Sequence, residues 1–111
     1  MIEINKQILT EITTAIVQEI NTDQIILFGS HDRGDSKIGS DLDLLIVEGE
    51  PFGHGRNRRR EIAHVRKALA KFRIPKDILI YSKAEVMNWH NSINHIIAHC
   101  LQEGRVLYER H

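Results

Sequence analysis

Isoleucine recurs every four residues along the first part of the chain, from Ile4 to Ile20, with glutamate and glutamine among the intervening positions. That spacing gathers the apolar side chains on one face of a helix and leaves the polar ones on the other. We therefore expect an amphipathic first helix that packs on the core through its isoleucine face.

Three short apolar runs follow and predict β-strands, over residues 24–28, 41–48 and 77–82. Glycines and polar residues between the first two runs indicate a loop over residues 31–40. Because these strands are apolar toward both faces, helices must cover at least part of each face. The pattern predicts an α/β (α+β) domain, a small mixed sheet flanked by helices, with residues 105–109 as a short closing strand.

Two further helices are predicted on the C-terminal side of the second strand. The first is basic and ends before Pro75, and its apolar face consists of Ile62, Val65, Leu69 and Phe72. The second ends at Gly104, and its apolar positions are Trp89, Ile93, Ile96, Ile97, Cys100 and Leu101. We expect Phe72, Trp89 and Cys100 to lie in the core.

Size and charge limit the kinds of protein that the chain can be. Its 111 residues suit one domain, residues 1–111, and exclude a full template-directed polymerase or any other multi-domain enzyme. The net charge is zero, yet residues 56–73 hold eight basic residues and one acid. That segment is therefore strongly cationic and the remainder is acidic. With one cysteine, no apolar run of membrane-spanning length and no signal-peptide pattern, we expect a cytoplasmic protein without a membrane partner.

Aspartates open two of the predicted strands: Asp41 and Asp43 the second, and Asp77 the third. Residues two apart on a strand point to the same side, with Cα atoms about 6.5–7 Å apart. Carboxylates this close repel each other, and burying them is costly without a counter-charge. A hard divalent cation meets that need, because Mg²⁺ takes oxygen ligands from carboxylates, water and phosphate. If the third strand lies beside the second, Asp77 joins the same site.

The end of the first strand offers a complementary anion site. Gly29 and Ser30 would present backbone N–H groups and a hydroxyl to a phosphate, and Arg33 and Lys37 are cations close by in sequence. Each pattern alone is weak, since an Asp-x-Asp pair often caps a turn or pairs with arginine, and Gly-Ser is an ordinary turn. Their combination across two successive strands is more specific.

Gly-Ser, ten intervening residues and Asp-x-Asp together resemble the signature of the DNA polymerase β-like nucleotidyltransferase superfamily. The stretch "FGSHDRGDSKIGSDLDLLIV" is similar to its minimal nucleotidyltransferase branch, whose motif reads G-S-x-x-R-G and then S-D-x-D-L. Asp77 occupies the place of the third carboxylate, and Asp32 stands where the family often has a small residue. The matching motif positions are Gly29, Ser30, Arg33, Gly34, Ser40, Asp41, Asp43 and Leu44.

The resemblance implies a polymerase β palm-like fold and a Mg²⁺-dependent transfer of a nucleoside monophosphate, with two metal ions and ATP or another nucleoside triphosphate. It implies that the metal-binding and catalytic residues are Asp41, Asp43 and Asp77, and that the nucleotide-binding residues include Gly29, Ser30, Arg33 and Ser40. Lys37 joins the nucleotide-binding set as a cation close by in sequence. The resemblance also implies a role as the antitoxin of a helical HEPN-domain toxin encoded nearby, with AMP moved from ATP to a toxin tyrosine. We expect a homo- or hetero-oligomer.

Two other functions stay open at this stage. The protein would also fit a binding module that neutralises its partner by contact alone, or a transferase acting on a small molecule or an RNA end. In the last case Arg56–Arg60 could guide a phosphate backbone, although a solvated helix face is the commoner explanation, and an acidic partner would fit equally well. His95 and His99 have a helical spacing that can bind zinc, but without the intervening glutamate we favour surface or interface histidines.

Overall fold

The computed structural model describes residues 5–28, 42–53, 55, 57–90 and 95–110, except for the side chain of Ile96. Four helices and four strands lie within these ranges. In chain order they are α1 (Lys6–Glu19), β1 (Thr22–Phe28), β2 (Leu42–Glu48), α2 (Arg58–Ala68), β3 (Lys76–Ser82), α3 (Lys83–Trp89), α4 (Ile96–Glu103) and β4 (Arg105–Glu109).

The strands form one mixed sheet in the order β3-β2-β1-β4. β1 pairs antiparallel with both β2 and β4, whereas β2 and β3 run parallel, connected through α2. The three predicted strands and the short closing strand are thus confirmed, with β1 and β3 each beginning slightly earlier than expected. The chain has the predicted mixed α/β architecture.

Helices cover both faces of the sheet, as the two-sided apolar strands predict. On one face α1 and α2 pack through Ile12, Ile16, Val65 and Leu69 against a large apolar cluster that includes Leu44. On the other face a smaller cluster combines strand residues with α3 and α4, and its members are Ile26, Leu45, Val47 and Cys100, with Phe28, Leu79, Tyr81, Val86 and Leu101 packed against it. Core positions on β2 alternate between these clusters because successive side chains of a strand point to opposite faces.

The prediction of a single last helix was wrong, because the structure has two helices in that part of the chain, α3 and α4. α3 ends at Trp89, and α4 begins after His95, whose Nδ1 accepts a hydrogen bond from the Ile97 N–H at 3.1 Å. Residues 90–95 lie between the two helices, and the extended backbone of His95 separates α4 from any continuation of α3. Because His95 caps α4 from outside, it does not share a helical face with His99 as the zinc spacing assumed.

Trp89 does not lie in the core, which corrects a second expectation. Its side chain is 44% exposed and its ring stacks on that of His95, with ring centroids 4.5 Å apart. α3 has only seven residues, and none of them is buried. Phe72 and Cys100, in contrast, are buried as predicted, at 6% and 1% exposure.

A polar connection fastens the start of α2 to the start of α3. The Ser82 side chain accepts from the Glu85 N–H at 3.2 Å, and the Glu85 carboxylate accepts from the Ser82 N–H at 2.9 Å, which forms a capping box. The same carboxylate forms an ion pair with Arg58, the first residue of α2. The Arg58 guanidinium also lies over the Phe52 and Tyr81 rings, 4.8 and 5.0 Å from their centroids.

Close packing leaves no room for a side chain at Gly104, between α4 and β4. A Cβ there would lie 2.4 Å from the Cys100 carbonyl oxygen and 2.4 Å from Ile26 Cγ2. Both contacts are shorter than real carbon atoms tolerate, and one involves fixed backbone. The backbone of Gly104 is extended, so the constraint is space rather than conformation.

We expect Gly104→Ala to lower the free energy of unfolding by about 1–3 kcal/mol, because the methyl group forces α4 away from β1. Urea denaturation monitored by circular dichroism measures this change. Gly49→Ala is the matched control, since its Cβ would meet only Asp23 Oδ1, at an ordinary 3.7 Å. Equal stability of the two variants would contradict the predicted contact.

Candidate active site at the shared edge of β1, β2 and β3

Asp43 and Asp77 are neighbours across the parallel β2–β3 pair, where the register matches them directly. Neighbouring strands are about 4.8 Å apart. The sequence could place Asp77 beside Asp43 only on the assumption that the two strands pair, and the structure confirms that pairing.

Both carboxylates belong to the sheet face that α3 and α4 cover. Leu45 and Leu79 follow them two positions later and pack in the smaller apolar cluster, whereas Leu44 and Ile78 lie in the larger one. Strand alternation therefore points both aspartates to the same side. Asp43 is half-buried and Asp77 is exposed, so water and a ligand can reach the pair from the end of the sheet.

β1 ends at this same edge, where Phe28 pairs with Asp43 in the antiparallel register. Leu42 is joined to the segment before β3, its N–H donating to the Pro75 carbonyl oxygen at 2.8 Å. Three strand ends thus meet around two carboxylates. The residues predicted to bind the triphosphate, and one of the predicted metal ligands, lie outside the described residues: Gly29, Ser30, Arg33, Lys37, Ser40 and Asp41.

α4 contributes an ionisable group that sequence reasoning had assigned only to the core. Burial, followed by the negative charges of Asp43 and Glu103, raises the pKa of the Cys100 thiol to about 11. Cys100 is therefore a protonated, inert thiol that lies within electrostatic reach of Asp43. No local pattern could have revealed this proximity, because it depends on how α4 packs across the sheet.

The donor set fits a hard divalent cation. Two carboxylates on adjacent strands, one half-buried and one open to solvent, supply the oxygen ligands that Mg²⁺ takes in proteins while leaving room for water and phosphate. Within the described ranges no cluster of three or more histidine, cysteine, aspartate or glutamate side chains forms a metal site. The predicted third ligand, Asp41, stands outside those ranges.

A nucleotidyltransferase domain model matches residues 9–103 of the chain, which include every element that builds this edge. The chain belongs to the nucleotidyltransferase domain family. A curated protein of Methanocaldococcus jannaschii that carries the name "Putative protein adenylyltransferase" is 34% identical over 90 residues, which cover 77% of each protein. The chain is therefore assigned to a class of enzymes that transfer nucleotidyl groups.

Solved structures share the fold of this nucleotidyltransferase at low sequence identity. A putative nucleotidyltransferase from Sulfolobus solfataricus superposes with a TM-score of 0.61 at 19% identity, covering 92% of this chain and 78% of that one. A toxin–antitoxin structure with AMP-PNP gives 0.60 at 17% identity, covering 92% and 73%. A tri-AMPylated HEPN toxin of Shewanella oneidensis in complex with its MNT antitoxin gives a TM-score of 0.53 at 16% identity, covering 96% of this chain and 74% of that one.

Within the described part of the chain, no helix is long and apolar enough to cross a membrane.

The pKa of Cys100 offers a test of the site that needs no activity. We expect Asp43→Asn to lower it from about 11, because the substitution removes a negative charge that disfavours the thiolate. Titration of the Cβ resonance in protein labelled with ¹³C-cysteine measures the pKa directly. Asp23→Asn, at the opposite end of β1, should leave it unchanged. Equal Cys100 pKa values in wild type and Asp43→Asn would contradict the electrostatic interaction between Asp43 and Cys100.

Stability should also depend on Cys100 at alkaline pH. The folded-state pKa of about 11 lies above the ordinary value of about 8.5, so the stabilisation by the neutral thiol is complete below pH ~8.5. It is lost as the pH rises toward 11, and we expect the unfolding free energy of wild type to fall over that range by on the order of 1–2 kcal/mol more than that of Cys100→Ala. Chemical denaturation at several pH values measures the unfolding free energy of both proteins. The same dependence on pH in both would contradict the raised pKa of Cys100.

Proposed function

We propose that this nucleotidyltransferase moves AMP from ATP, with Mg²⁺, onto the hydroxyl of a tyrosine in a HEPN-type partner protein and thereby acts as an antitoxin. The observation that carries the proposal is the in-register pairing of Asp43 with Asp77 on one face of the sheet. The name of the Methanocaldococcus jannaschii relative supports protein adenylylation. The toxin–antitoxin structures with AMP-PNP and with an AMPylated HEPN toxin support the nucleotide and the partner.

The proposed roles follow from where the described carboxylates lie. Asp43, half-buried and directly across from Phe28 at the end of β1, would hold metal together with Asp41 close to the triphosphate. Asp77 is exposed and would hold metal and take up the proton of the acceptor hydroxyl. When bound, two divalent ions would neutralise the charge that develops on the attacking and leaving oxygens.

Transfer then proceeds by a single displacement. The deprotonated acceptor oxygen forms a bond to the α-phosphorus, and the bond from that phosphorus to the oxygen bridging the β-phosphate breaks. Pyrophosphate leaves with the electron pair, and AMP remains on the acceptor. In the proposal, Gly29, Ser30, Arg33, Lys37 and Ser40 hold the triphosphate for this attack.

A small domain offers the acceptor little surface of its own. Its described part at the start of β2 and β3 consists of the two carboxylates and the buried side chain of Leu42. The partner would therefore supply much of the surface that positions its own tyrosine. This requirement favours a protein acceptor over a free small molecule.

We expect Asp43→Asn to reduce labelling of the acceptor by α-phosphate-labelled ATP and Mg²⁺ at least about a hundredfold, because the amide cannot replace a charged metal ligand. The assay uses the HEPN-domain protein co-purified with the chain, followed by gel analysis and mass spectrometry of the labelled residue. Asp23→Asn is the matched control, because it removes a carboxylate at the other end of β1, where the Asp23 side chain lies 4.0 Å from Lys83 Nζ.

Three results would overturn parts of this assignment. Labelling by Asp43→Asn near the wild-type level would remove the metal role of that carboxylate. Neutralisation of the toxin by Asp43→Asn at the wild-type level, without any label, would identify an antitoxin that works by contact alone. Label found on RNA or a small molecule instead of protein would overturn the tyrosine acceptor.

A further inference from the structure

The solvent side of α2 and of the turn after it is almost uniformly cationic. On the helix, Arg59, Arg60, Arg66 and Lys67 are exposed, and they lie in two adjacent rows at helical spacing. The basic stripe, as we call this surface, consists of Arg59, Arg60, Arg66, Lys67, Lys71 and Arg73, all of which are exposed.

The charges of the basic stripe are not neutralised within the described part of the chain. The ion pairs found there join Arg58 to Glu85, His64 to Glu61 and Lys83 to Asp23, and none of them includes a stripe residue. Burial lowers the pKa of Lys76, at the start of β3, and the nearby Arg66 guanidinium lowers it further. Like charges this close on one helix disfavour it, so the stripe costs stability that an anionic partner would recover.

The stripe is only one helix wide, which restricts what can dock on it. α1 packs beside α2 and has the exposed carboxylates Glu11 and Glu19. A broad polyanion such as a nucleic-acid duplex would overlap these acidic residues. A narrow acidic element, such as one helix with carboxylates along a single face, matches the stripe without meeting them.

Small residues lie among the cations and allow a close approach. Ala63 and Ala70 are exposed, and Ala63 separates Arg59 from Arg66 within one row of the helix. Helices pack closely where small side chains permit it, with their axes 8–10 Å apart in general. The stripe described here lacks the exposed aromatic side chains on which single-stranded nucleic acids stack.

We propose that the basic stripe docks an acidic helix of a protein partner. The C-terminal end of α2 leads through Phe72, whose carbonyl oxygen accepts from Lys76 Nζ at 3.1 Å, directly into the edge where Asp77 lies. A partner held along α2 therefore reaches the edge with the carboxylates. In this respect the inference rests on the proposed function, because it assigns the surface that presents a protein acceptor to the transferase site.

The experiment compares three full-length proteins: wild type, Arg59→Glu with Arg66→Glu, and a control with Lys6→Glu and Arg105→Glu. Both double variants change the charge equally, and the control residues are exposed on α1 and β4. The probes are a labelled helical peptide with glutamate at positions i, i+3, i+4 and i+7, its glutamine counterpart, and an RNA duplex of equal charge. Fluorescence anisotropy at low and physiological ionic strength gives the dissociation constants.

We expect the glutamate peptide to bind wild type and the control equally, and to bind the stripe variant at least about tenfold more weakly. Binding by wild type should weaken with salt, and the glutamine peptide and the RNA should bind less tightly than the glutamate peptide. Equal binding by all three proteins, or by both peptides, would overturn the proposal. Tighter binding of RNA would assign the stripe to nucleic acid. If circular dichroism shows that the glutamate variant unfolds, Arg59→Gln with Arg66→Gln replaces it.

Labelling with α-phosphate-labelled ATP distinguishes this proposal from the proposed function. Loss of acceptor labelling in Asp43→Asn together with full labelling in the stripe variant would overturn docking and leave the transferase assignment intact. Loss of peptide binding in the stripe variant, combined with no labelling by wild type, would support docking and overturn the transfer reaction.

Discussion

The parallel pairing of β2 with β3 is the constraint on which both the core and the candidate site depend. Leu44, Ile46, Ile78 and Ile80 fix the register from the face covered by α1 and α2. A slip of one residue would turn every side chain of one strand to the opposite face and send a carboxylate into the apolar cluster. The packing that stabilises the fold therefore also brings two like charges together at one end of the sheet.

Local patterns predicted the strands and the first helix correctly, because the spacing of their apolar residues matches the positions that are buried in the structure. Ile12 and Ile16 are fully buried, as their fourfold repeat requires, and the carboxylates open the strands that the apolar runs define. Trp89 was misplaced because it was counted on the apolar face of one long helix, whereas it ends a separate seven-residue helix in which no residue is buried. The Ser82–Glu85 capping box was legible in the sequence as S-x-x-E and marks the helix start that the single-helix prediction passed over. The electrostatic interaction between Asp43 and Cys100 depends on how α4 packs on the sheet, so no local sequence pattern could have predicted it.

α2 divides its cations between two environments. Arg58 is held by Glu85 and by two aromatic rings, so it joins α2 to α3 around the edge strand β3. The cations that follow face solvent and leave the helix electrostatically unbalanced. One helix thus connects the parallel strands, closes the larger core through Val65 and presents a charged surface.

The pairing of β4 with β1 has a consequence for the order in which the chain matures during synthesis. Gln24 and Glu109 meet across these strands although they are 85 residues apart in sequence. β1 is translated well before β4, so the hydrogen-bonding groups on that edge of β1 lack this partner strand until β4 has been synthesised. An unpaired strand edge is a template for pairing with other chains. The strand that ends at Phe28 becomes internal to the sheet only when β4 is added, so β4 protects that edge from pairing with another chain.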